Sequence, residues 1–257
     1  MLGIIRTLCL AILLCSCVAP SVLASGSLAN LEDLRPIQRR LTTIYIDTYH
    51  PAIRREVELI RRKLKAAPVA QRPRVLQTLA EQTRWGTPER ATARYVCARY
   101  GVDYERSRDY LLNAFFWYGY RLHPPKPAPF SWAEDTVYLL YDLYERNHDF
   151  RLLHDLVTGD ADAAGGEAID DVRTRALQEH PRGMLHVAAM SGQARGLAES
   201  VLSGEYRSGA DGETNNRVMR IFRAYVRRVS ADPKDPLYAT ARRLLRHAAT
   251  KRASPRG

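Results

Sequence analysis

Apolar residues recur along most of this chain at intervals of three and four, the spacing that lines one face of an α-helix. Ile53, Val57, Ile60 and Leu64 keep that interval, and so do Val218, Ile221, Phe222, Tyr225 and Val229. Leu28, Leu31 and Leu34 begin a similar stripe before Pro36, and Ile37, Leu41, Ile44 and Thr48 resume it. The alternation that a half-buried strand needs is scarce. Local punctuation agrees with helices: Thr87-Pro88 and Asp235-Pro236 read as an N-cap and first helical residue, Ser131 with Glu134 as a capping box, and Gly101, Gly159 and Gly204 as stops. The pattern predicts helices near 27–49, 51–66, 71–84, 88–100, 103–122, 131–147, 149–158, 166–180, 184–203, 214–230 and 235–250.

The expected fold class is therefore all-α, with about ten short amphipathic helices in an irregular antiparallel bundle or a HEAT-like α-α stack. No period of 33 to 47 residues matches the tetratricopeptide, ankyrin or leucine-rich signatures. One break in composition stands at 123–130, where four prolines forbid helix and favour a stiff extended segment. We expect a single helical domain over 25–250 with that segment as a long loop; the alternative is two halves divided there. Residues 251–257 read as a disordered basic tail.

The first 24 residues carry an address. Arg6 is followed by an apolar run from Leu8 to Leu14, and Val22-Leu23-Ala24 offers the small residues of a signal-peptidase site, so 1–24 reads as a signal peptide. Leu14-Cys15-Ser16-Cys17 resembles a bacterial lipobox, which would make Cys17 a lipidated N-terminus. The run is shorter than the ~20 residues that span a bilayer. The expected location is accordingly the periplasm or the medium, with a membrane-anchored lipoprotein as the alternative. Three of the four cysteines lie in this leader, so removing it leaves Cys97 alone, with no disulfide and no thiolate zinc site.

With 257 residues, 46% hydrophobic and 26% charged, the chain has enough apolar residues for a core and is neither disordered nor low-complexity. Its cations are 34 Arg against 5 Lys, and the net charge is +11. They are segregated: 35–74 holds 11 basic and 3 acidic side chains, 134–180 holds 4 and 12, and 217–257 holds 12 and 2. On a helical wheel from Arg217, Ile221, Tyr225, Val218, Val229 and Phe222 fall within about 40° to 140°, while Arg220, Arg223 and Arg227 fall within about 240° to 300°. Arg242, Arg243 and Arg246 extend this charge. These six arginines are the candidate contacts for anionic lipid or polymer.

Catalytic signatures are missing: there is no nucleophile elbow, P-loop, dinucleotide fingerprint or His-Glu-x-x-His. The acids Glu134-Asp135 and Glu167, Asp170, Asp171 open helices, where carboxylates suit the positive end. His148 and His154, like His180 and His186, are spaced by six, about 240° around a helix, so neither pair meets on one face as a zinc pair at three or four would. No catalytic residue, metal ligand or cofactor is assigned. Aromatics crowd 110–144, and Phe116, Tyr120, Trp132 and Tyr138 are the candidate lining of a partner groove. The expected function is that of an exported helical interaction or scaffold protein of a bacterial cell envelope, not an enzyme. The alternatives are an envelope hydrolase with an unrecognised acid and a cationic module for anionic lipid or polymer. A protein or envelope polymer is the expected partner, with peripheral membrane contact allowed, nucleic acid excluded by export, and oligomeric state open.

Overall fold

The computed structural model describes residues 28–32, 34–45, 47–121, 131–159, 163–209 and 212–253, with the backbone alone at 117–121, 131–134, 163–164 and 252–253. The predicted signal peptide, Cys17 and the proline segment 123–130 lie outside the described residues.

Twelve α-helices and two 3-10 turns make up the described chain, with no strand among these residues. In order they are α1 (Leu34–Ile44), α2 (His50–Ala66), α3 (Arg72–Gln82), α4 (Pro88–Arg99), α5 (Tyr104–Arg121), α6 (Ser131–Asn147), α7 (Phe150–Thr158), α8 (Ala163–Glu179), α9 (Pro181–Met190), α10 (Gly192–Ser203), α11 (Gly212–Ser230) and α12 (Tyr238–Ala253). The 3-10 turns are Asp47–Tyr49 and Val69–Gln71. The chain is all-α, as its periodicity predicts, but three segments differ from that reading. Asp235 and Pro236, expected as an N-cap and first helical residue, lie in the turn before α12, which starts at Tyr238, and Asp235 accepts the Leu237 amide at 2.8 Å. The span expected over 27–49 is α1 followed by a 3-10 turn, with Pro51 at the head of α2 setting the new start. The span expected over 184–203 is two helices, α9 and α10. Ser191 separates them in an extended conformation, and its hydroxyl accepts the Ala194 amide at 3.2 Å, so a serine taken for a helix-interior residue is an N-cap. Gly204 then ends α10 at φ +91, a left-handed conformation that a Cβ would strain, with its amide on the Ser200 carbonyl.

Packing follows chain order. Each helix lies against the next, and several against the helix two places on: α2 on α4, α4 on α6, α6 on α8, α7 on α9 and α10 on α12. The longest chain separation bridged by close packing is α1 on α6. The buried apolar side chains from Leu28 to Ala248 nevertheless form one continuous cluster. Within it α4 is enclosed on every side, since all eight residues from Ala91 to Ala98 are buried. α11 keeps the opposite arrangement, a sharply two-faced helix with Val218, Phe222, Val226 and Val229 inward.

Candidate functional site

The outer face of α11 carries two members of the predicted basic row, Arg220 and Arg227, together with Arg217, which is not among the candidates. Arg217, Arg220 and Arg227 are exposed, opposite the buried apolar stripe. None of the three makes an ion pair among the described residues. At about 1.5 Å of rise per residue they span about 15 Å of helix. Arg223, predicted to stand in the same row, is half-buried and donates from its guanidinium to the Leu202 carbonyl at 3.1 Å, where it closes the end of α10. Arg228 is exposed and its guanidinium lies over the Tyr225 ring, 4.9 Å from the centroid. On α12, Arg242 and Arg246 are exposed one turn apart, Arg242 donating to the Tyr238 hydroxyl at 2.8 Å. Arg243 is half-buried between them, and its Nε is enclosed without a hydrogen-bond partner among the described residues. Of the six predicted surface arginines, four therefore reach solvent freely and two are drawn into the packing.

The aromatic candidates acquire partners inside the fold. Phe116 meets Phe115 edge to face at 4.8 Å and lies so close to Gly159 that a Cβ there would fall 2.2 Å from its ring. Tyr138 is half-buried with the Arg175 guanidinium 5.6 Å from its ring centre; burial, and then the charge of Asp171, push its hydroxyl pKa up. One ring thus serves the end of α7 and the other serves α8. The side chains of Tyr120 and Trp132 lie outside the described set. A separate open groove of about 520 Å³ runs between α2 and α3, with Lys63 and Arg74 at its rim and Val75 and Leu79 among its walls.

Several of the acids and histidines have partners within or between the helices. Asp170 pairs with Arg173 and Asp171 with Arg175, both at 3.0 Å within α8. Asp149 caps α7 through the Arg151 and Leu152 amides while accepting the Tyr104 hydroxyl at 2.9 Å. His154 lies 3.1 Å from Asp155, and His186 stacks on Phe150 at 4.1 Å, with its pKa lowered by burial and then by Arg182. The histidine pairs spaced by six thus have separate neighbours. Cys97 is buried with its thiol facing the Leu76 carbonyl, and burial pushes its pKa up to about 12, which keeps it protonated and unreactive.

Sequence reading misses one constellation. Glu145 on α6, Glu179 at the end of α8 and His180 at the head of α9 bring one ligand-type atom each to within 4.8 Å of one another. Glu145 and His180 are 35 residues apart, and only the adjacency of Glu179 and His180 could have signalled the group. Compared with known proteins, the chain matches no family model, no curated protein and no solved structure.

Proposed function

We propose that this chain is an exported helical interaction protein of a bacterial cell envelope, built as an irregular α-α stack, whose partner is an anionic surface engaged by the outer face of α11. The observation that carries this reading is the row Arg217, Arg220 and Arg227, three exposed guanidiniums on one side of a helix without acidic partners among the described residues. Exposed cations placed in a row act on a polyanion together, although each alone contributes little. Chain-order packing supports the stack over a closed bundle, and a stack offers long outer faces for binding. Among the described residues no helix is long and apolar enough to cross a membrane, so contact with lipid would be peripheral. Export rests on the composition of residues 1–24.

The test compares sedimentation of the purified protein with phosphatidylglycerol-containing and neutral vesicles across a salt series. Each arginine near an anionic surface is worth about 1 kcal/mol, so replacing all three with Gln should weaken anionic-vesicle binding on the order of a hundredfold. Binding should also fall as screening shortens to about 8 Å at physiological ionic strength. Equal binding to both vesicle types would remove the anionic partner from this reading, and recovery of the full-length chain in the cytosol would remove export.

A further inference from the structure

We propose that Glu145, Glu179 and His180 form a binding site for a divalent transition-metal ion, with zinc the best match to one imidazole and two carboxylates. Among the described residues they are the only group of three such side chains with their donor atoms within 4.8 Å of one another. The His180 Nε2 to Glu145 Oε1 distance is 3.4 Å. Two ligands each about 2.0–2.1 Å from a tetrahedral zinc stand about 3.4 Å apart, so this pair is already at coordination spacing. Glu179 is exposed, and rotating its side chain would bring the third oxygen in without moving a helix. Three protein ligands leave a fourth position for water.

The surroundings favour a dication over a simple ion pair. Edge contacts from Tyr141 at 6.0 Å and Tyr144 at 5.4 Å fix the imidazole against a pair of rings that also touch each other. The cations nearest in sequence are committed elsewhere, Arg175 to Asp171 and Arg182 to Asp235, each at 3.0 Å, and Arg146 is exposed on the next position around α6. Among the described residues neither Glu145 nor Glu179 pairs with an arginine or lysine, so two carboxylate ligands remain for a cation to engage.

Tyr141 supplies an independent sign of a missing ligand. It is 2% exposed, one helical turn before Glu145 on the same face of α6, and its hydroxyl is enclosed with no hydrogen-bond partner among the described residues. A buried hydroxyl left in that state costs about 1–3 kcal/mol. The Tyr141 ring meets the His180 imidazole edge to face, which places this hydroxyl in the same cluster of side chains. A metal-bound water or a metal-bound carboxylate oxygen there would accept its proton, the outer-shell contact that ligated groups ordinarily have.

The test titrates the chelator-stripped full chain with Zn²⁺ by calorimetry and with Co²⁺ by visible absorption, with circular dichroism confirming that each variant is helical. One ion should bind per chain, with a tetrahedral cobalt spectrum. Glu145→Gln and His180→Ala should each weaken binding at least about a hundredfold, and Tyr141→Phe about tenfold. His154→Ala and His247→Ala, at two of the other three histidine–carboxylate pairs among the described residues, should leave the affinity unchanged. Because Glu145 is about a third exposed, its Gln variant stays informative even if His180→Ala fails to fold. Absence of binding, or an affinity unmoved by Glu145→Gln, would overturn the site. An affinity unmoved by Tyr141→Phe would overturn the role of the hydroxyl.

Discussion

The hydroxyl of Tyr95 on α4 donates to the carboxylate of Asp142 on α6, and around that bond three helices are tied together. Arg40 of α1 reaches the other carboxylate oxygen at 3.2 Å, and Arg99 of α4 shares the first at 3.0 Å. Asp142 is nearly enclosed, and Tyr95 is fully buried. Replacing Asp142 with Ala would strand a buried hydroxyl and a half-buried guanidinium together. A loss of about 3 kcal/mol in urea unfolding is expected, with Asp142→Asn losing less because an amide oxygen still accepts from Tyr95. A change within about 0.5 kcal/mol for the Ala variant would show that the three helices do not depend on this junction.

Glu56 predicts a pH dependence. Burial, and then the charge of Glu89, push its carboxyl up to about 7, and the Thr83 hydroxyl donates to it at 3.5 Å. The folded protein binds this proton more tightly than the unfolded chain, so stability is fully present below about pH 4.5 and declines as pH rises toward 7. Glu56→Gln should remove that decline. The variant gains about 1–2 kcal/mol over the parent at pH 8 and little at pH 4, the figure being discounted for the solvated part of the carboxyl. Parallel stability curves for the two proteins would contradict the assignment.

Gly183 on α9 is a contact for Tyr144. A Cβ at this position would fall 2.1 Å from the tyrosine hydroxyl and 3.1 Å from a Leu153 methyl. Alanine gains about 1 kcal/mol of helix propensity but overpacks a buried, stiff ring, which costs about 1–3 kcal/mol. Thermal unfolding of Gly183→Ala should therefore show a net loss, part of which Tyr144→Phe restores in the double variant. A lone Gly183→Ala that melts higher than the parent would mean that the ring yields easily.

Cys97 should resist alkylation. A thiol pushed up to about 12 and enclosed by the core offers almost no thiolate at pH 8, so iodoacetamide should label it only after denaturation. Rapid labelling of the native protein would place the thiol at an opening in α4.

Helix existence was legible in the sequence because it depends on local rules. Apolar intervals of three and four, Thr87-Pro88 at a helix start and Gly204 at a helix end each act within a few residues, and each has its expected place, whereas the start of α9 at Pro181 precedes the expected 184. Ser191 was misread because a serine can cap a helix or sit inside one, and the extended backbone that decides between them is set by how α9 and α10 pack on α7 and α12. Tertiary structure also decided which charges are free. The helical wheel of α11 puts Arg220, Arg223 and Arg227 together, but only Arg223 meets the Leu202 carbonyl at the end of α10. On α4, Arg94 is 1% exposed and bonds Asp103 at 3.2 Å, because helices enclose the middle of α4 on all sides and leave the polar residues there no outer face. Glu145 and His180 meet for the same reason. Periodicity fixes which side of a helix turns inward, whereas the neighbour it then meets comes from a distant part of the chain and is settled by packing alone.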